Sequence, residues 1–195
     1  MNLRAGGAAA LLAALAVASP LAFGAEPDRR VSPYAATPDS VVEAMLKLAR
    51  VGPDDFVVDL GSGDGRLVIA AARRFGARGL GVDIDAKLVE YAQRAAEREG
   101  VADRARFREQ DLFETDLRDA TVVTIYLLPQ IMPRVAKKLE AELRPGTRVV
   151  AHDFQLPGWR IERLDAFDVP EKRDYTFNTR STIYLYRVPA RAARE

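Results

Sequence analysis

The chain of 195 residues contains no cysteine, one histidine and one tryptophan. Without cysteine it can form neither disulfides nor thiolate metal sites, and no cluster of other ligands stands at metal-binding spacing, so we expect no metal. An excess of either charge is also missing. Residues 1–24 hold one charged residue, and the rest carries 28 basic and 28 acidic residues. That balance gives no electrostatic footprint for nucleic acid, and we expect none as a partner.

The first 24 residues contain one positive charge, at Arg4, followed by an uncharged stretch rich in alanine and leucine. This pattern is typical of a signal peptide, with small residues before Ala25 and a second possible cleavage site after Ala18. The alternative is a membrane anchor, because the uncharged run approaches the ~20 residues that span a bilayer. We therefore expect an exported protein, either periplasmic or membrane-anchored. An inward-facing anchor or a misassigned start would instead leave the domain in the cytoplasm.

After an extended lead-in at residues 25–37, the pattern predicts one domain at 38–189 and a tail at 190–195. Short apolar runs rich in β-branched residues alternate with amphipathic helical patterns, from "DFVVDL" to "TRVVAHDF". "WRIERLDAF" and "STIYLYRV" then follow as two strands without a helix between them. The order predicts an α/β, Rossmann-like doubly wound fold. Its seven-stranded sheet is mainly parallel and ends in a C-terminal antiparallel hairpin.

The segment "DLGSGDGR" at residues 59–66 lies between the first predicted strand of this alternation and the helix that follows it. Ligands of open α/β folds bind at the carboxyl ends of the strands, and glycines let them approach the backbone. A dinucleotide fingerprint needs glycine or alanine at position 66, where this chain has Arg66. A phosphate loop needs Gly-Lys-Ser/Thr, which is also missing. The loop is therefore neither of these, and its pattern is Gly-x-Gly-x-Gly.

Three aspartates stand at the carboxyl ends of the first three of these strands: Asp59, Asp83 and Asp111. The carboxyl ends of parallel strands meet at one edge of the sheet, so we expect all three to line one crevice. Asp59 can face an ammonium group there, and Asp83 can accept hydrogen bonds from two ribose hydroxyls. The alternative is that these acids cap the helices that follow them.

The glycines and acids resemble the cofactor motif of class I S-adenosylmethionine-dependent methyltransferases. Four segments, "PYAATP", "DLGSGDGRLVIAAA", "ATVVTIYLLP" and "RVVAHDF", are similar to the family of lysine methyltransferases that modify mitochondrial ATP synthase and the adenine nucleotide translocase. The resemblance implies S-adenosylmethionine as cofactor, and it places adenine near Asp111 and Leu112. In that family a proline-tyrosine stretch helps to close the cofactor site. The candidate cofactor-binding residues are Tyr34, Thr37, Asp59, Gly61, Ser62, Gly63, Gly65, Asp83, Ile84, Asp111 and Leu112.

Two of these candidates have a simpler interpretation. Thr37 precedes Pro38 and is placed to cap the first helix, with Pro38 in the first helical position. Tyr34 can be an exposed aromatic residue of the lead-in. Both interpretations stay open at the level of the sequence.

The methyl acceptor is expected beside the fourth of these strands, at "IYLLP". Many methyltransferases of amides or adenine carry Asp/Asn-Pro-Pro-aromatic there, which holds a planar amino group. Its absence is compatible with an aliphatic amine. Tyr126 is a candidate for orienting the acceptor or for simple packing, and Asp153 for attracting a lysine. His152 is either a base or a structural residue.

The sequence thus predicts a methyltransferase that N-methylates a lysine of a protein, with membrane-associated proteins among the candidate substrates. Two alternatives remain from the residues. One is methylation of a small molecule or a lipid headgroup, and the other is a protein that binds the cofactor or its demethylated product without turnover.

Overall fold

A computed structural model describes residues 36–174 and 179–190. Tyr34, the predicted signal segment and residues 191–195 lie outside the described residues. The strands are β1 (Phe56–Leu60), β2 (Arg78–Asp83), β3 (Ala105–Glu109), β4 (Val122–Ile125), β5 (Arg148–His152), β6 (Ile161–Asp168) and β7 (Arg180–Arg187). The helices are α1 (Asp39–Leu48), α2 (Arg66–Phe75), α3 (Ala86–Arg98) and α4 (Met132–Glu142), with 3₁₀ segments at Leu112–Glu114 and Pro170–Asp174.

All seven strands form one sheet in the order β3-β2-β1-β4-β5-β7-β6. The first five are parallel, and β7 runs antiparallel between β5 and β6. This confirms the predicted α/β fold with its antiparallel C-terminal pair. The chain order reverses between β1 and β4, and doubly wound sheets bind ligands in the crevice outside the carboxyl ends at such a point.

Helices cover both faces of the sheet, as its buried parallel strands require. On one face α1 and α2 pack over Val57 of β1 and Val150 of β5, and α3 joins α2 over Phe107 of β3. On the other face α4 packs over residues such as Val58 and Val123. Side chains alternate along a strand, so positions two residues after Val57 and Val150 also face α1. We call this side of the sheet the α1 face.

The start of α1 differs from the sequence prediction by one residue. Pro38, with φ −55° and ψ 146°, is the N-cap, and no side chain caps the helix. The Pro38 carbonyl accepts hydrogen bonds from the N–H groups of Val41 and Val42 at 2.9 and 3.0 Å. The Thr37 carbonyl is instead bound by Arg66. The prediction of Thr37 as N-cap and Pro38 inside the helix is therefore wrong, because the helix begins only after Pro38.

A polar cluster fastens the sheet at the amino end of β5. The Arg148 guanidinium donates to the carboxylate of Asp55 and to the carbonyls of Ala49 and Arg50. Asp55 also accepts a 2.7 Å hydrogen bond from the Thr121 hydroxyl. These contacts tie the loop after α1 to the starts of β1 and β5, at the end opposite the crevice. Across the described ranges, no helix has the length and apolar character that crossing a membrane requires.

Candidate active site

The glycine loop leaves β1 in a conformation that depends on its glycines. Gly61, Gly63 and Gly65 have φ of 80°, 53° and 79°, in the left-handed region that side chains rarely adopt. A Cβ on Gly65 would also lie 2.6 Å from the Phe107 ring, and one on Gly61 would lie 2.9 Å from Leu127. The pattern Gly-x-Gly-x-Gly is therefore required by this backbone, independently of any ligand.

Asp83 joins the glycine loop to the end of β2. One carboxylate oxygen accepts a 2.9 Å hydrogen bond from the Gly63 N–H, and the other accepts a 3.0 Å bond from the Asp85 N–H. The cap of α3 is Asp85, which accepts from the Lys87 N–H at 2.9 Å. The capping interpretation of Asp83 is therefore wrong. Each Asp83 oxygen keeps a second lone pair, so the carboxylate can still accept from the two hydroxyls of a ribose.

Asp59 is a buried carboxylate on the α1 face, 7% exposed. Its Oδ1 accepts a 2.7 Å hydrogen bond from the Thr124 hydroxyl of β4. Oδ2 has no hydrogen-bond partner within the part of the chain that the structure describes. Burial raises the pKa of Asp59 to about 7; the Thr124 bond opposes this shift, and the charges of Asp83 and Asp64 add to it. A ligand cation beside Oδ2 would compensate the charge of this carboxylate.

Asp111 follows β3 and caps the 3₁₀ segment Leu112–Glu114. Its Oδ1 accepts a 2.8 Å hydrogen bond from the Phe113 N–H, as the capping interpretation predicts. Oδ2 has no partner among the described residues, so capping leaves one oxygen for a ligand. Leu112 is only 6% exposed and belongs to the core on the α4 face. Ile84, directly after β2, is half-buried.

The loop residue that breaks the dinucleotide fingerprint, Arg66, connects the glycine loop to the start of α1. Its Nε donates to both oxygens of Asp64, at 3.0 and 2.9 Å. Its Nη1 donates to the Thr37 carbonyl at 2.9 Å and lies 3.5 Å from Asp39. Thr37, a candidate for covering the cofactor, is thereby held next to the glycine loop through its backbone.

The carboxyl ends of β4 and β5 form the other half of the crevice, which we call the acceptor half. Tyr126 directly follows β4, which ends three residues earlier than the predicted run "ATVVTIYLL". Its ring is half-buried and stacks on His152 of β5, with centroids 4.1 Å apart and planes inclined by 36°. Leu127 is buried against Gly61 of the loop. Tyr126 thus contacts the neighbouring strand β5 through His152.

His152 is buried and uncharged. Its Nε2 lies 3.0 Å from the Ser181 hydroxyl and 3.4 Å from Asp153, while Nδ1 has no hydrogen-bond partner within the described chain. Burial lowers the pKa of His152 to about 4; Asp153 raises it, and Lys172 lowers it further. A base in this position would be weak and closed off from solvent. The structure favours a structural role for the ring.

Asp153 does not have an uncompensated charge. Its Oδ2 accepts a 2.6 Å hydrogen bond from the Lys172 ammonium, and Oδ1 accepts from the Thr182 N–H at 3.0 Å. The predicted role, attraction of a substrate lysine, would require this carboxylate to exchange its partner.

Sequence reasoning missed three polar side chains of the site: Thr124, Lys172 and Ser181. Thr124 and Ser181 are fully buried in strands, at 0% exposure. A hydroxyl inside an apolar run such as "VVTIY" is a usable signal, since buried polar groups need partners. Lys172 lies in the polar run "PEKRD", where nothing in the sequence indicates burial.

Comparison with known proteins agrees with this site. The family model described as ANTKMT methyltransferase domain matches residues 59–163. A protein-lysine N-methyltransferase of Saccharolobus islandicus is 42% identical over 155 residues, which cover 79% of this chain and 92% of that protein. A Xenopus laevis lysine N-methyltransferase, named for the C subunit of ATP synthase, is 40% identical over 150 residues, and the match spans 76% of this chain and 65% of that protein.

A crystal structure described as an RNA methyltransferase from Salinibacter ruber, in complex with S-adenosyl-L-homocysteine, has a TM-score of 0.72 and 43% identity. It covers 83% of this chain, and the match covers 98% of that chain. The resemblance that the sequence motifs indicate is thereby confirmed. The chain belongs to the ANTKMT methyltransferase domain family and is an S-adenosylmethionine-dependent methyltransferase.

Proposed function

We propose that this chain transfers a methyl group to the side-chain nitrogen of a lysine in a protein substrate. The observation that carries the proposal is the division of the crevice. The carboxylates of Asp59, Asp83 and Asp111 lie on the β1–β3 side, and the aromatic acceptor half lies on the β4–β5 side. The names of the relatives from Saccharolobus islandicus and Xenopus laevis support lysine as the acceptor.

The residues of the β1–β3 side fit S-adenosylmethionine. Asp83 can take the ribose hydroxyls, and Asp111 Oδ2 the adenine amino group. Asp59 Oδ2, open in a buried carboxylate, fits the ammonium of the methionine moiety. When bound, S-adenosylmethionine supplies an electrophilic methyl group to an amine lone pair, and its sulfur retains the electrons of the broken bond. The chain has no acid–base work at the sulfur, so its contribution is alignment and exclusion of water.

The acceptor half suits an aliphatic amine. It offers the aromatic ring of Tyr126, and the sequence after β4 is "YLLP" instead of the Asp/Asn-Pro-Pro-aromatic motif that holds a planar amino group. A lysine ammonium has no lone pair and must lose its proton before it can react. A desolvated aromatic wall lowers the pKa of a lysine amine and so favours the free base. The released proton passes to solvent.

RNA is the second candidate acceptor, because the Salinibacter ruber structure is described as an RNA methyltransferase. RNA binding draws on an excess of Lys and Arg. Beyond residue 24 this chain balances 28 basic with 28 acidic residues, which favours a protein acceptor.

Export of the chain remains part of the proposal and rests on the sequence of residues 1–24. A reporter enzyme fused after residue 195 and active only outside the cytoplasm tests it. Activity of the fusion that disappears when residues 1–24 are deleted would support export. An inactive reporter, with the intact fusion protein present in the cytoplasm, would contradict export.

Label transfer tests the acceptor. Purified residues 25–195 are incubated with methyl-labelled S-adenosylmethionine and with extracts of the source cell, with and without ribonuclease or protease. We expect protease-sensitive label in a discrete protein band, mapped to lysine by mass spectrometry. Label sensitive to ribonuclease would establish the RNA alternative, and label only in lipids or small molecules would overturn the protein acceptor.

Two neighbouring variants make this test specific to the crevice. Asp83→Asn replaces an oxygen that accepts a backbone N–H by an amino group, and we expect about 10- to 100-fold weaker binding of S-adenosylhomocysteine, or about 1–3 kcal/mol. Asp85→Asn preserves a good cap for α3 and should bind within about twofold of the wild type. Equal affinity of the two variants would exclude Asp83 from the cofactor site.

A further inference from the structure

A lysine is buried at the edge of the acceptor half. Lys172 lies in the 3₁₀ segment Pro170–Asp174 between β6 and β7 and is 4% exposed. Its Nζ donates to Asp153 Oδ2 at 2.6 Å and to the Arg180 carbonyl at 3.3 Å. Lysines are almost never buried this completely unless they are paired, because taking the ammonium out of water is costly. The burial of Lys172 therefore indicates a role other than keeping the surface soluble.

The partner of Lys172 is held rigidly and yet reaches the crevice. Asp153 has φ 59°, an unusual value for a residue other than glycine. Its N–H donates to the Thr182 carbonyl at 2.7 Å, and its Oδ1 accepts from the Thr182 N–H at 3.0 Å. The side chain remains 21% exposed. Asp153 is thus a fixed carboxylate that an incoming group can approach.

The ion pair contacts the wall of the acceptor half. Asp153 Oδ2 lies 3.4 Å from His152 Nε2, and the His152 ring stacks on Tyr126. Strand β7 contributes the Ser181 hydroxyl, which contacts His152, and the Arg180 carbonyl, which accepts from Lys172. Helix α1, which packs on β5 and β7, places Ser40 3.4 Å from Glu171, next to Lys172 in the chain. Lysine, aspartate and neutral histidine together carry no net charge.

That neutrality has a chemical consequence for an amine acceptor. A carboxylate without a counter-ion would attract a substrate ammonium and stabilise its protonated form, raising the pKa of that amine. The substrate would bind tightly in a form without a lone pair. With Lys172 in place, the negative charge of Asp153 is already compensated, so the carboxylate attracts a substrate ammonium only weakly.

We propose that Lys172 is a positioning residue that acts as the permanent counter-ion of Asp153, so that a substrate lysine enters the acceptor half as its free amine. The inference rests on the proposed lysine acceptor. It also replaces the expectation that Asp153 attracts the substrate, because the chain's own lysine takes that place.

The single histidine allows a direct test that needs no substrate. His152 gives the only histidine signals in an NMR spectrum of the full chain, and its pKa is followed by pH titration. In Lys172→Met, Asp153 loses its counter-ion, and we expect the pKa of His152 to rise by at least one unit. In the double variant Asp153→Asn/Lys172→Met both charges are gone, and the pKa should return close to that of the wild type. An unchanged pKa in Lys172→Met would overturn the inference.

Kinetics with the protein acceptor identified by label transfer test the consequence. For Lys172→Met we expect at least tenfold lower kcat near pH 7, an unchanged or lower KM for the acceptor, and a pH–rate profile shifted upward by about one unit. The double variant should be at least fivefold more active than Lys172→Met, because removing both charges restores neutrality. A double variant as impaired as the single one would contradict the proposal and indicate a purely structural contact.

Two controls separate the possible failures. S-Adenosylhomocysteine binding should stay within about twofold of the wild type in both variants, since neither residue lies on the β1–β3 side. If the wild type transfers no label to any protein lysine, the proposed function fails, while the histidine titration still decides the charge coupling. If the wild type is active and Lys172→Met follows the same pH–rate profile, only the inference about Lys172 fails.

Discussion

The buried carboxylate of Asp59 allows a quantitative prediction, because burial disfavours its charge while the proposed contact with the ligand ammonium needs that charge. Its pKa is about 7 in the folded chain, against a usual value of 3.8. Between these values the folded state holds a proton that the unfolded state has released. The free energy of unfolding therefore falls as pH rises through this window. About three pKa units correspond to about 4 kcal/mol in total, of which about 3 kcal/mol falls between pH 5 and pH 8.

Asp59→Asn removes this dependence while keeping the shape of the side chain. The amide adds a fixed cost of its own, because it brings new donors into a buried place, but that cost does not vary with pH. The difference in unfolding free energy between variant and wild type should thus move in favour of the variant by about 3 kcal/mol between pH 5 and pH 8. Urea unfolding at four or five pH values, in the absence of cofactor, measures it.

Cofactor binding should change in the opposite direction. In the wild type the affinity for S-adenosylhomocysteine is expected to increase through pH 7 as the Asp59 carboxylate ionises and meets the ligand ammonium. The affinity of Asp59→Asn for S-adenosylhomocysteine should be at least about tenfold lower than that of the wild type at pH 8 and should not increase through pH 7. Asp103→Asn, whose side chain is 74% exposed, serves as the matched control. Parallel stability curves for Asp59→Asn and the wild type would refute the reasoning about burial, and equal affinities would remove Asp59 from the ligand site.

Two further substitutions test the frame around the site. Gly65→Ala should abolish cofactor binding and lower thermal stability, since Gly65 has φ 79° and a Cβ there would lie 2.6 Å from the Phe107 ring. Gly52→Ala is the control, because a Cβ on Gly52 would have no neighbouring atom within 4 Å, and it should change neither the melting temperature nor the affinity measured by calorimetry. Arg148→Met should lower the free energy of unfolding by about 3 kcal/mol, because it strips the buried Asp55 carboxylate of its cation. Adding Asp55→Asn should recover part of that loss in urea titrations, and a loss that stayed the same would contradict the ion-pair argument.

Much of the fold follows from local patterns. Alternating apolar runs and amphipathic helices predict the parallel sheet, and Gly76 and Gly100 end helices α2 and α3 where the sequence expects them. The boundaries depend on contacts that are distant in sequence. Thr37 is not the cap of α1, since its carbonyl binds Arg66, 29 residues further on. Strand β4 ends before Tyr126, whose ring turns to stack on His152 of the neighbouring strand.

The same distinction holds within the site. The positions of Asp59, Asp83 and Asp111 follow from one rule, that each comes at or near the carboxyl end of a parallel strand. Their protonation and pairing do not follow from it. The pKa of Asp59 depends on burial beneath neighbouring elements and on a hydroxyl 65 residues away, at Thr124.

Lys172 extends this argument to the acceptor. A lysine in a polar run such as "PEKRD" is typical of a surface turn. Here the segment leads into β7, which pairs with β5, and Lys172 contacts Asp153 at the end of β5. Among the described residues, Asp59 on the cofactor side is bound by a hydroxyl and by no cation, whereas Asp153 on the acceptor side is paired with Lys172. A ligand whose amino group must stay charged is suited to the first, and an amine that must lose its proton is suited to the second. If both proposals hold, the two carboxylates differ in the charge state of the nitrogen beside them, a charged ammonium at Asp59 and a neutral amine at Asp153.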